Sequence, residues 1–407
     1  MKKILLTTTG LSSIGQTGGI SAYVHELATN LSERNYDVYV FLFKEDRVDK
    51  VNKKIKYKFR HFAIGPTFEA ERQLVVELLK EIEKLSPDVI INNDTSYIAG
   101  LWPVIASDVV KISVMHGFSK KLSKTNVGIT GKMACVNHQF IDYIVCQNTT
   151  MCSDVSNKYN VPLKKNVFIP QATSGGAIPS EKPVDFTIIF GSGKRKEKGA
   201  LIMKKVCTKL KESSYSFRVK WCLDAGGIQN EFSDDNRFIF LGNLHRDRFL
   251  KELSESHCII IPTMLDTGPM LLVEAMAEGV VPICNRLRES AIPDLIQDGF
   301  NGILIDDNDA DSYFDVIISL MNNRNLTVEL AKNTFDFFTN RLNKDRQIER
   351  FEVLFRKKQA RKKSKSFSNE NIIYFHHKKT SHLSKFSLKR MFYKIVNTLE
   401  IPLKRYI

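Results

Sequence analysis

The chain has 407 residues, more than one ordinary hydrophobic core supports, so we expect two domains. Its composition, 43% hydrophobic and 26% charged, excludes a largely disordered chain. The seven cysteines include no C-x-x-C pair, which argues against a zinc site or a disulfide framework and favours a reducing compartment. No stretch approaches the roughly 18–20 apolar residues of a membrane span. We therefore expect a cytoplasmic protein.

The net charge of +15 is concentrated at one end of the chain. Residues 356–407 contain 15 Lys and Arg against two acids, a net charge of +13, which leaves +2 for residues 1–355. Within this tail, apolar residues recur at helical spacing among Lys385, Lys389, Arg390 and Lys394. A basic amphipathic helix over 384–407 would bind an anionic membrane surface, and the alternative is a helix that packs on the body or on another subunit.

In the first 170 residues, short apolar runs alternate with helical patterns. The N-terminal apolar run is too short for a signal peptide, and residues 3–7 predict a first strand instead. Further strands are predicted at 36–43, 88–91, 111–115 and 143–146. Helices are predicted at 20–31, where apolar residues share one face, and at 69–85. This alternation predicts an α/β fold with a parallel sheet covered on both faces.

The alternation stops at the Gly- and Pro-containing segment 171–185 and then restarts. Strands are predicted at 186–190, 217–223, 238–241, 258–261 and 280–284, and helices at 198–210, 270–278 and 335–355. Two successive parallel sheets would leave a cleft at the carboxyl edges of their strands. We therefore predict two Rossmann-like domains, 1–172 and 186–340, a linker at 173–185, a helix at 341–358 that returns to the first domain, and a basic tail at 359–407.

The segment PTMLDTGPMLLVEAMAEG, residues 262–279, carries an acid, Glu274, inside an apolar helix. A carboxylate beside a core needs hydrogen-bond donors, which a nucleotide ribose could supply. Pro269 is suited to the first helical position, and Gly268 allows a ligand to approach the backbone. The amides of Met270 and Leu271 would then be available to a diphosphate. The alternative is an ordinary helix start with an early acid that complements the helix dipole.

Two features of the first domain are also candidate ligand-binding positions. Gly18 and Gly19 follow the first strand and open the first helix, where backbone amides can contact a phosphate or a sugar. His116 follows the strand 111–115, at the sheet edge where α/β sites gather. The alternatives are a plain loop and a structural histidine.

A fourth candidate is the loop 191–199, which follows the first strand of the second domain. Its Lys194, Arg195 and Lys198 could neutralise a leaving diphosphate. The alternative is a solvated run of charges.

Taken together, these residues resemble the retaining GT-B glycosyltransferases of glycosyltransferase family 4. The resemblance extends from Gly18 to about Phe351. Four motifs carry it: Pro262-x3-Asp266-x7-Glu274-Ala-Met-Ala-x-Gly-x-x-Pro282, Phe240-Leu-Gly-Asn243, Ile169-Pro170 and Asp298-Gly-x-Asn-Gly302.

The resemblance implies a GT-B architecture in which the first domain is on the acceptor side and the second binds a nucleotide sugar. It implies four catalytic residues, His116, Asp266, Glu274 and Lys198. It also implies a set of donor-binding residues: Gly18, Gly19, Lys194, Arg195, Asn243, Gly268, Pro269, Met270 and Leu271.

In this resemblance Glu274 holds the nucleotide ribose, His116 contacts the donor sugar, and Lys198 contacts the phosphates. Two positions depart from the family pattern. Asp266 stands where a glutamate is usual, and Gly193 stands where the family has an arginine, so that Lys194 or Arg195 would take over its role.

The implied reaction is transfer of a hexosyl group, with retention, from a nucleoside-diphosphate sugar to a hydroxyl of a glycan or lipid-linked acceptor. It would use no metal and no cofactor, and it would serve the synthesis of a cell-surface polysaccharide or glycolipid at the inner face of the membrane. The alternatives are a related GT-B enzyme, either a glycerophosphotransferase or a nucleotide-sugar epimerase, and a non-catalytic binding protein. Because the charge is confined to the tail, nucleic-acid binding by the body is not expected.

Overall fold

The computed structural model describes residues 1–8, 19–43, 55–64, 68–117, 129–176 and 182–356. The predicted site residue Gly18 and the basic tail, for which an amphipathic helix is predicted, lie outside these ranges. Within them the chain forms two parallel sheets, each covered by helices, so the predicted α/β class is confirmed.

The first sheet has seven described strands in the order β3-β2-β1-β4-β5-β6-β7, and neighbouring strands are parallel. The strands are β1 (Lys3–Thr8), β2 (Asp37–Leu42), β3 (Lys58–His61), β4 (Val89–Asn93), β5 (Val110–Val114), β6 (Tyr143–Cys146) and β7 (Asn166–Phe168). The helices between them are α1 (Gly19–Glu33), α2 (Phe68–Leu85), α3 (Ser96–Leu101), α4 (Ile129–Val136) and α5 (Thr149–Tyr159).

The second sheet has six described strands in the order β10-β9-β8-β11-β12-β13, again parallel. The strands are β8 (Phe186–Phe190), β9 (Phe217–Cys222), β10 (Phe238–Gly242), β11 (Cys258–Ile261), β12 (Val281–Asn285) and β13 (Ile303–Ile305). The helices are α6 (Ala200–Glu212), α7 (Arg246–Ser254), α8 (Met270–Ala277), α9 (Ile292–Leu295), α10 (Ala310–Asn322), α11 (Arg324–Arg341) and α12 (Lys344–Arg356).

Burial follows the sequence periodicity. The apolar face predicted for α1 is buried at Tyr23, Val24, Leu27 and Leu31. The central strands β4 and β8 are buried along their whole length, as strands covered on both faces must be. No helix in the described part of the chain combines the length and the apolar character that a membrane crossing needs.

The helical stretch predicted at 335–355 is not one helix, because it spans the end of α11 and most of α12. Asn343 separates them: its side-chain oxygen accepts a hydrogen bond from the Arg346 amide and so caps α12. The second helix returns to the first sheet, where Ile348, Phe351 and Leu354 join its core cluster.

The predictions also missed the strands β3, β7 and β13. Each has only three or four residues, and β3 is largely exposed, so none gives a long apolar run. In both sheets the strand order reverses next to the first strand of that sheet, between β1 and β4 and between β8 and β11. Loops at the carboxyl ends of such strand pairs form crevices that bind ligands.

Candidate active site

The segment between β11 and α8 forms one wall of the candidate site. The carbonyl oxygen of Pro269 accepts a hydrogen bond from the Leu272 amide at 3.1 Å, so Pro269 is the N-cap rather than the first helical residue. Met270 and Leu271 therefore open α8, where no preceding helical turn supplies acceptors for their amides. With the helix dipole, these amides create a positive potential that suits an anion.

Glu274 lies one turn further along α8, and its side chain is only 9% exposed. Its Oε1 accepts a hydrogen bond from Nη1 of Arg246, the first residue of α7, at 2.5 Å. Burial raises the pKa of the Glu274 carboxyl above its ordinary value, and the Arg246 guanidinium opposes that rise. The protein therefore supplies one strong donor to the acid that we expected a ligand to satisfy.

Arg246 also connects the two halves of the molecule. Its Nη2 donates to Thr173 Oγ1 at 3.1 Å and lies 3.8 Å from Glu26 Oε1 on α1. Glu274 thus lies at the junction between the first helix of the chain and the second sheet. Arg246 is not among the predicted site residues, and its one signal in the sequence is that a buried carboxylate requires a cation.

Lys198 and Asp266, two predicted catalytic residues, contact each other. Lys198 Nζ lies 2.5 Å from Asp266 Oδ2 and donates to the Leu265 carbonyl at 3.0 Å. Both side chains are about one-fifth exposed. The pair places a cation and a carboxylate at the carboxyl ends of β8 and β11, beside the N-terminus of α8.

Gly199 permits the close approach of these two loops. It has a φ of +83°, and a Cβ at this position would lie 2.2 Å from the Pro262 carbonyl oxygen. Backbone hydrogen bonding continues the contact, since the Met264 amide donates to the Glu197 carbonyl at 2.9 Å. A glycine is required here by both space and backbone conformation.

The other predicted cations of the loop 191–199 are exposed. Lys194 forms an ion pair with Asp224 at 2.6 Å, and both side chains are more than half exposed. Arg195 is exposed, and its Nε donates to the Ser192 carbonyl. Asn243 is exposed too, directly after Gly242 at the end of β10.

His116 follows β5 in the first sheet and is buried. Its Nε2 lies 3.0 Å from Asn93 Oδ1, its amide donates to Asp94 Oδ2, and its ring packs edge-on against Tyr23. Burial lowers the pKa of His116 to about 3 and raises that of Asp94 to about 7. The imidazole is therefore neutral at physiological pH and acts as a hydrogen-bonding group rather than as a cation.

Hydrogen bonds between the two domains hold the backbone of His116 next to the segment that precedes α8. Thr267 Oγ1 donates to the His116 carbonyl at 2.7 Å, and Asn148 Nδ2 donates to the Thr267 carbonyl at 2.9 Å. The structure thus places His116, Asp266, Lys198 and Glu274 around the N-terminus of α8, where the two sheets meet. Gly19 begins α1, which carries Glu26 to the same junction.

No group of three or more His, Cys, Asp or Glu side chains in the described ranges is arranged to hold a metal ion. What the cleft offers instead is a set of donors and cations for an anion, with a carboxylate one helical turn away.

Comparison with known families identifies the family of the chain. The model of Glycosyltransferase Family 4 matches residues 17–173, and the model of Glycosyl transferases group 1 matches residues 228–337. Together the two matches cover well over half of the chain. The chain belongs to glycosyltransferase family 4. No curated protein matches it in sequence.

Solved structures share the GT-B fold of this family 4 chain. Anabaena HepE in complex with UDP has a TM-score of 0.68 and 16% identity, and the match covers 87% of this chain and 99% of HepE. A mutant of S. aureus TarM in complex with Fondaparinux, alpha-GlcNAc-glycerol and UDP has a TM-score of 0.71 and 12% identity, over 88% of this chain and 100% of TarM. The lipopolysaccharide outer core galactosyltransferase WaaB has a TM-score of 0.63 and 15% identity, over 86% and 98%.

Proposed function

We propose that the chain is a retaining glycosyltransferase that moves a hexosyl group from a nucleoside-diphosphate sugar to a hydroxyl of an acceptor. The observation that carries this proposal is the ion pair of Lys198 with Asp266 beside the N-terminus of α8, which lies one helical turn from Glu274. An anion flanked by a dihydroxylated group fits that arrangement. A nucleoside diphosphate is such a ligand, with its diphosphate at Met270 and Leu271 and its ribose at Glu274.

Uridine is the base to test first. The relatives HepE and TarM were solved with UDP bound, and HepE also with UDP-glucose. UDP and UDP-sugars are therefore the natural probes of this cleft.

The chemistry that we propose needs no metal ion. As the bond between the sugar and the diphosphate breaks, negative charge grows on the leaving phosphate oxygen. The α8 amides and the Lys198 ammonium stabilise that charge. In many enzymes, preorganised donors of this kind account for most of the rate enhancement over the uncatalysed reaction. Neutral His116 contacts the sugar, and Asp266 orients Lys198 or accepts from a sugar hydroxyl.

The test is release of UDP from UDP-sugars in the presence of hydroxylated acceptors, with and without EDTA, and assignment of the anomeric configuration of the product by NMR. Glu274→Gln should lower kcat/KM by about 10- to 100-fold, because a hydrogen bond to a charged group is weakened. The exposed Glu329→Gln on α11 is the matched control. Unchanged turnover in Glu274→Gln removes the ribose assignment, and loss of turnover with EDTA removes metal independence.

We further propose a cytoplasmic enzyme that builds a cell-surface polysaccharide or glycolipid, with the tail 384–407 bound to the inner face of the membrane. Four cations would each add about 1 kcal/mol of attraction to anionic lipid. Charge reversal of Lys385, Lys389, Arg390 and Lys394 in the full chain should abolish flotation with anionic liposomes. Equal flotation of both proteins would remove the membrane proposal and leave the transferase proposal intact.

A further inference from the structure

Two glutamine side chains of the first domain end at the same point of the cleft. Gln147 follows β6 and is fully buried; Gln171 comes after β7 and is 9% exposed. A Cβ on Gly268 would lie 3.3 Å from Gln147 Oε1 and 3.4 Å from Gln171 Nε2. Both carboxamides therefore face Gly268, two residues before the N-terminus of α8.

Three of the four polar atoms of these two carboxamides lack hydrogen-bond partners within the described ranges. Both polar atoms of the Gln147 side chain, Oε1 and Nε2, have no hydrogen-bond partner, and neither has Gln171 Oε1. Buried polar groups are normally paired, and each one left unpaired weakens the fold. An unpaired cluster in a cleft therefore indicates a ligand.

The neighbouring polar groups are already engaged with each other. Asn148 caps α5 and donates to the Thr267 carbonyl, and Thr267 Oγ1 donates to the His116 carbonyl. These bonds fix the Gly268 segment against the first domain. The two glutamines lie beside this fixed segment, and three of their four polar side-chain atoms are unpaired.

The position of the two glutamines indicates which part of a bound ligand they would contact. If the diphosphate lies on the amides of Met270 and Leu271, the group bonded to its distal phosphate lies next to Gly268. In a nucleotide sugar that group is the transferred sugar. This step rests on the proposed function.

The unpaired atoms of Gln147 and Gln171 indicate which chemical groups the sugar must present to them. Two carbonyl oxygens can only accept, and one amide nitrogen can only donate. A hydroxyl group does both. A carboxylate in the place of such a hydroxyl only accepts, so the carbonyl oxygen that faces it would stay unpaired. We propose that Gln147 and Gln171 bind hydroxyl groups of the transferred sugar and select a neutral sugar over a uronic acid.

The experiment measures dissociation constants of the full chain for UDP, UDP-glucose, UDP-galactose, UDP-N-acetylglucosamine and UDP-glucuronate, together with the Tm of the free protein. The variants are Gln147→Leu and Gln171→Leu, which keep the size of the side chain and remove its polar atoms. The exposed Gln73→Leu on α2 is the control.

We expect the wild type to bind at least one neutral UDP-sugar about 10- to 100-fold more tightly than UDP-glucuronate. Each glutamine variant should lose about tenfold or more of that preference, with UDP affinity unchanged. Because Gln147→Leu removes two unpaired polar atoms and Gln171→Leu removes one, the Tm of each free variant should be unchanged or higher. A purely structural role would instead lower the Tm and leave the sugar preference unchanged.

Three results would overturn the inference. They are wild-type affinities for neutral UDP-sugars in both variants, a loss of UDP affinity in the variants as large as their loss of UDP-sugar affinity, and a preference of the wild type for UDP-glucuronate. In these cases UDP binding by the wild type leaves the proposed function standing. Failure of the wild type to bind UDP and every UDP-sugar would remove uridine nucleotides as donors, and the inference with them.

Discussion

The pairing of Arg246 with Glu274 makes a quantitative prediction for Arg246→Leu. The variant leaves the Glu274 carboxylate, 9% exposed, without the donor that lies 2.5 Å away. Breaking a fully buried ion pair costs about 3–5 kcal/mol. Because Arg246 is 28% exposed and water can partly replace it, we expect about 2–3 kcal/mol. For a domain of this size that corresponds to a Tm lowered by about 5–10 °C.

The pH dependence of this loss follows from the raised pKa of Glu274. Its folded-state pKa lies above the ordinary 4.5, so the charged carboxylate is the form that destabilises the fold. Removal of Arg246 raises that pKa further. The deficit of the variant should therefore be full at pH 8 and should shrink as the pH falls through the raised pKa towards 4.5.

Thermal unfolding followed by circular dichroism between pH 5 and pH 8 measures both effects. The double variant Arg246→Leu, Glu274→Gln should recover part of the loss, because it removes the unpaired charge. Arg248→Leu on the same helix is the control, since this side chain is 63% exposed and its contact with Glu252 is 3.7 Å long. A wild-type Tm in Arg246→Leu, or a deficit that grows as the pH falls, would refute the reasoning.

Three further predictions concern the cleft. Gly199→Ala should lower the Tm by several degrees and weaken UDP binding, because its Cβ would collide with the Pro262 carbonyl; UDP affinity equal to the wild type would contradict this. Burial lowers the pKa of His116 to about 3, so its ring should show the NMR shifts of a neutral imidazole throughout pH 5–8; a titration midpoint above pH 5 would contradict this. Lys198→Met should lower kcat by about 10²–10³-fold. Lys194→Met should change kcat less than about threefold, since Lys194 is paired with Asp224 at the surface; equal losses in the two variants would contradict the assignment of the phosphate cation.

The cleft residues show which parts of a site the sequence can reveal. Gly268, Pro269 and Glu274 were recognisable because a turn, a helix start and a misplaced acid are local features. His116 was recognisable because it follows a strand of regular pattern. Arg246 was not, since it lies 28 residues before its partner and resembles any arginine at the start of an exposed helix. Gln147 and Gln171 carried no signal either, because an unpaired carboxamide is defined by its surroundings.

What the sequence by itself determined was the series of strands and helices and the division into two α/β halves. These follow from the spacing of apolar residues, which each segment carries within itself. The tertiary structure decided the break at Asn343, the pairing of Lys198 with Asp266, and the convergence of Gln147 and Gln171 on Gly268. These depend on how the two sheets pack, because burial and hydrogen bonding are properties of neighbours in space rather than along the chain.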